Sequence, residues 1–78
     1  MKFEHVDRCR NLGIRIAYFR KLRGLTQEQL AEKIDRNWAY IGSVEAPNID
    51  RAISLGTLFD IADALEIQPY RLLMFDED

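Results

Sequence analysis

The sequence has little of what most enzymes and metalloproteins use. It holds one cysteine, Cys9, and one histidine, His5. A lone cysteine closes no internal disulfide, and this pair lacks the ligand count of a zinc site. Neither a Gly-x-Ser-x-Gly elbow, a His-Glu-x-x-His pair nor a Gly-rich phosphate loop occurs. No catalytic residue, no metal and no cofactor are therefore expected, and the chain is not read as an enzyme. With two Pro and four Gly the composition excludes collagen-like and low-complexity chains. Long apolar runs are missing too. The longest uncharged stretches, from Asn37 to Val44 and from Ala52 to Phe59, span eight residues each. A membrane helix needs about 20, so no membrane partner is expected. The first ten residues carry four basic side chains, His5 included, and two acidic ones, without the apolar core of a secretory signal. These absences point to a reducing, cytoplasmic setting.

What remains is a small globular composition: 78 residues, 47% hydrophobic and 31% charged. A chain of this size buries only about 60% of its unfolded surface, which favours a single simple domain with no separate ligand-binding domain. Net charge is −2, but it is unevenly spread. Residues 1–45 hold nine Lys/Arg against six Asp/Glu, whereas residues 46–78 hold two against seven. The basic first half suits an anionic partner, and the acidic second half is suited to face away from it.

Hydrophobic periodicity predicts five helical segments and no strand, an all-α fold. In the first, Leu12, Ile16 and Phe19 form one apolar stripe, with Asp7 as a possible N-cap and Gly24 as the left-handed stop. The second opens on a capping box, Thr26 with Gln29, flanked by Leu25 and Leu30 as a hydrophobic staple. It breaks at Asp35, a residue that tolerates left-handed geometry, and Asn37 caps a third helix starting at Trp38. Ile41 and Val44 point inward there. Residues 46–51, with Pro47, read as a surface loop. Ser54 caps a fourth helix whose inward face is Leu55, Leu58, Ile61, Ala62 and Leu65. Pro69 opens a short fifth one.

The run Leu25-Thr26-Gln27-Glu28-Gln29-Leu30-Ala31 through Ile41-Gly42-Ser43-Val44-Glu45 resembles the phage-repressor-like (Cro/CI-type, XRE) helix-turn-helix family. Leu12 to Gln27 is similar to the family's first helix and turn, and Ser54 to Ile67 to its fourth helix. The resemblance implies a compact five-helix repressor-like bundle containing a helix-turn-helix. It divides the chain into a leader and start of the first helix (1–9), a DNA-binding domain (10–75) and an acidic tail (76–78). The sequence departs from the family pattern at Asp35, where Gly is usual, and at Arg36, where a small apolar residue is usual.

The physical logic of the motif is legible in its own right. Two steeply crossing helices need a small residue at their closest approach, supplied by Ala31, and aliphatic wedges, supplied by Leu30, Ile34, Ile41 and Val44. The second helix, about 38–45, can then enter a major groove about 12 Å wide. The resemblance implies double-stranded DNA as the partner. Its contacts would come from Thr26, Gln27, Arg36, Asn37, Trp38, Ala39, Gly42 and Ser43. For five of them there is a plainer reading. Thr26 and Asn37 serve as caps, Gln27 and Arg36 as solvated polar groups, and Ser43 as a mid-helix hydroxyl. Trp38 is expected to pack on thymine methyls and donate its N–H to a base. Arg20 and Glu45 match a family pair that bridges the first and third helices, which makes them a structural ion pair.

Tyr70, Leu73, Met74 and Phe75 carry more apolar surface than a short terminal helix can hide, the expected interface of a homodimer. The leading function is a small sequence-specific transcriptional regulator of repressor type. The alternative is a protein-interaction module that keeps the scaffold but has lost base reading, since Trp38, Ala39, Tyr40 and Gly42 form a low-charge surface.

Overall fold

The computed structural model describes residues 5–46 and 52–75. The first four residues, most of the expected surface loop and the acidic tail lie outside them. Four α-helices follow one another: α1 (Val6–Leu22), α2 (Gln27–Lys33), α3 (Trp38–Glu45) and α4 (Leu55–Leu65). The chain then enters a 3₁₀ helix, Pro69–Leu73, so the expected fifth helix is not an α-helix. Pro69 fixes the first turn but donates no N–H, and Met74 is already extended, leaving five residues in which no α-helical ladder develops. No strand occurs among the described residues.

Local signals explain most of the boundaries. The Thr26 hydroxyl accepts from the Gln29 N–H (3.0 Å) while the Gln29 side chain accepts from the Thr26 N–H (2.8 Å). Asn37 caps α3 through the Tyr40 N–H (2.9 Å), and Ser54 caps α4 through the Thr57 N–H (3.1 Å). The expected cap of α1 is corrected. That helix begins one residue before Asp7, after His5, whose side chain makes no capping bond. Asp7 lies in the first turn, where its carboxylate instead accepts from Arg10 one turn on (2.8 Å).

Three of the four helices end in the same way. After α1, α2 and α4 the residues Gly24, Asp35 and Glu66 adopt positive φ of 71°, 57° and 59°. In each case the following N–H reaches back across the turn: Leu25 to the Arg20 carbonyl, Arg36 to Ala31 and Ile67 to Ala62. These are Schellman closures, which satisfy carbonyls that the helix leaves open. Arg23 completes the end of α4 by donating to the carbonyls of Leu65 (2.7 Å) and Glu66 (3.1 Å).

The core joins Ile16 and Phe19 of α1, Leu30 and Ala31 of α2, Ile41 and Val44 of α3, and Leu58, Ile61, Ala62 and Leu65 of α4, with Leu72 closing it. Leu55, expected inward, is exposed because it is the first residue of α4, and packing begins only at Thr57. Gly13 sets the approach of α1 to α3. A Cβ at that position would collide with the backbone carbonyl of Val44. No helix among the described residues is long and apolar enough to cross a membrane.

Candidate nucleic-acid interface

Helices α2 and α3 pack around Ala31, only 1% exposed, with Leu30 and Ile41 sealed beneath them. The turn between them uses the left-handed Asp35 and the extended Asn37. This places the starts of both helices, Gln27 and Trp38, side by side. The indole N–H of Trp38 donates to the Gln27 side-chain carbonyl (3.1 Å). The Gln27 amide donates in turn to Glu45 Oε1 (3.0 Å). Glu45 is gripped by Arg20 through Nε (2.7 Å) and Nη2 (3.0 Å), and Arg20 also donates to the Leu25 carbonyl (2.7 Å). A continuous chain of hydrogen bonds thus runs from α1 through the end of α3 and the start of α2 to the start of α3.

The ion pair at its root is nearly dry, with side-chain exposures of 10% for Arg20 and 5% for Glu45. Two charges so placed need full pairing, because an unpartnered buried charge is costly. They are fully engaged. No buried side-chain nitrogen or oxygen among the described residues lacks a hydrogen-bond partner.

Trp38 stands 61% exposed at the first turn of α3, followed by the exposed Ala39. Gly42 and Ser43 are half-buried, and the Ser43 hydroxyl donates to the Tyr40 carbonyl (2.8 Å). Thr26 is exposed while it caps α2. Arg36 lies at the other end of this surface. Its guanidinium stacks 4.5 Å from the centre of the Tyr40 ring and donates to the Thr57 hydroxyl (3.2 Å). Thr57 also accepts from Ser54 (3.0 Å), so the turn is tied to the cap of α4.

A helix-turn-helix family model matches residues 16–72. The chain belongs to the helix-turn-helix family of Cro/CI (XRE) type. The solved structure of the restriction-modification controller protein C.AhdI from Aeromonas hydrophila is 33% identical to it. That match covers 88% of this chain and 97% of the other, with a TM-score of 0.81. A hypothetical transcription factor, NHTF from Neisseria, is 29% identical over 87% of this chain and 74% of its own, with a TM-score of 0.80. No curated protein matches the sequence.

Within that family frame the expected site residues fall into two groups. Thr26, Gln27, Asn37, Trp38, Ala39, Gly42 and Ser43 gather at the starts of α2 and α3 and along α3. Arg36 stands beyond them, beside Tyr40 and α4. The indole N–H expected to face a base is bonded to Gln27 instead. Sequence reasoning missed the Gln27 bridge, which ties α2 to both ends of α3 and has no periodic signature. It also missed Tyr40 as the platform for Arg36. The charge of the first half is partly absorbed by the fold. Arg15 donates to the Arg71 carbonyl (2.8 and 3.2 Å), while Arg20 and Arg23 are engaged as described. No group of three His, Cys, Asp or Glu placed to hold a metal occurs among the described residues.

Proposed function

We propose that this chain is a small transcriptional regulator that binds double-stranded DNA by laying α3 in the major groove. The observation that carries the reading is the exposed first turn of α3, Trp38 and Ala39, braced against the start of α2 by Gln27. The N-terminal amides of α2 and the remaining donors of Gln27 and Arg36 suit phosphates on either side. Thr26, Asn37, Gly42 and Ser43 line the same approach, with Trp38 and Ala39 over base edges. The two solved relatives, a restriction-modification controller protein and a hypothetical transcription factor, support the same function.

The DNA-bound form is a homodimer. Tyr70, Leu73 and Met74, close together in sequence, are 61%, 50% and 54% exposed and offer apolar surface to a partner. Phe75 lines a surface groove together with Asn11, Ile14 and Arg15. A two-fold dimer would place two copies of α3 about one helical turn of DNA apart.

The test is a titration of labelled random duplex at several salt concentrations. A dimer neutralising about six phosphates loses about 10³-fold in affinity between 50 and 200 mM salt. Binding that is absent at low salt would overturn the reading in favour of a protein-interaction surface built on the same helices.

A further inference from the structure

Three hydrogen-bonding groups at the start and along the outward side of α3 are spent on the protein itself. The indole N–H of Trp38 goes to Gln27 (3.1 Å), the Ser43 hydroxyl proton to the Tyr40 carbonyl (2.8 Å), and the Asn37 oxygen accepts from the Tyr40 N–H (2.9 Å). Ala39 and Gly42 have no polar side-chain atom. Indole has one donor and no acceptor, so a bonded Trp38 has nothing polar left to offer. What projects from the first turn of α3 is an apolar ring, 61% exposed, next to the methyl of Ala39.

The ring is also held in place. Gln27 is anchored by Glu45 and Glu45 by Arg20, so its carbonyl meets the indole from a fixed position. Such support keeps a reading group oriented before its ligand arrives.

The major-groove edges of the four bases carry one apolar group between them, the C5-methyl of thymine. Cytosine has hydrogen at that position, and 5-methylcytosine has the same methyl in the same place. We propose, resting on the DNA-binding reading above, that Trp38 is the specificity-determining residue for a pyrimidine C5-methyl group. It recognises the methyl by burying it, without a hydrogen bond to the base. Affinity for a site with cytosine under Trp38 then rises when that cytosine is methylated. A side chain that reads donors and acceptors would separate thymine from 5-methylcytosine, whereas a bonded indole reads the feature they share.

The experiment starts from a duplex selected out of a random pool by the intact protein. Each thymine is replaced singly by deoxyuridine, which removes only the methyl, and each thymine pair by a cytosine pair with or without the 5-methyl group. At one thymine per half-site uracil should weaken binding about fourfold, the worth of burying one methyl-sized group. At that position 5-methylcytosine should bind about fourfold tighter than cytosine. The readout is the ratio of methylated to unmethylated affinity. Trp38→Phe, which keeps an apolar ring but loses the Gln27 bond, should keep the ratio above one, and Trp38→Gln, verified as folded by circular dichroism, should reduce it to one. Uracil tolerated at every position would overturn the proposal while leaving DNA binding intact. An unchanged ratio in Trp38→Gln would overturn it as well. The absence of salt-sensitive binding to any duplex would overturn both readings.

Discussion

The Trp38 indole and the Gln27 amide, the first residues of α3 and α2, are joined by a hydrogen bond of 3.1 Å. That bond couples the exposed surface of the helix-turn-helix to the buried Arg20–Glu45 pair behind it. Stability and surface geometry therefore share one set of side chains.

Removing the carboxylate at the centre should be felt in both. Glu45→Ala leaves the Arg20 guanidinium without its partner and Gln27 without its acceptor. A loss of about 3 kcal/mol is expected, within the usual cost of breaking a buried pair on one side. Thermal unfolding checks it, and Glu45→Gln, which keeps the shape and one acceptor oxygen, should lose less.

The two glycines inside α1 and α3 should respond to alanine in opposite directions. Gly42→Ala gains about 1 kcal/mol of helix propensity, and its new methyl would lie 3.6 Å from Gln27 Oε1, an ordinary contact. The melting temperature should rise by roughly 4–8 °C. Gly13→Ala gains the same propensity but drives its methyl into the Val44 carbonyl, so α1 and α3 must separate. Overpacking costs about 1–3 kcal/mol, and the melting temperature should fall.

Glu66 closes α4 at φ 59°, a conformation that costs a side-chain-bearing residue about 1–2 kcal/mol. Glu66→Gly should raise stability by about 1 kcal/mol, because the Schellman bonds and the Arg23 contacts use only its backbone. Asp35→Gly should gain less, since Asp visits this region more readily. Chemical denaturation of the two variants checks the order.

These cases separate what was legible in the sequence from what was not. The caps at Thr26, Asn37 and Ser54 could be read because each is a local bond between a side chain and a neighbouring amide, and the stops at Gly24 and Asp35 because those residue types tolerate left-handed backbone. The Arg20–Glu45 pairing came from the family resemblance. Glu66 could not be read, because nothing in its residue type announces a left-handed stop; the need arises from packing Ile67 and donating from Arg23. The role of Gly13 depends on a helix thirty residues away. The direction of the Trp38 N–H depends on Gln27, which only the finished turn brings beside it.

Dimerisation should depend on the patch after α4. Sedimentation at tens of micromolar should give a dimer for the native chain. Leu73→Asp, at a half-exposed position, should shift it toward monomer with little change in melting temperature measured on the monomer. A strictly monomeric native chain would remove this interface from the account.

The most direct test of DNA binding through α3 is a map of backbone amide shifts as duplex DNA is added at low salt. The expected perturbations cluster at Thr26 and Gln27 and from Arg36 through Ser43. Perturbations confined to α4 and the Tyr70–Phe75 segment, or none at all, would contradict it.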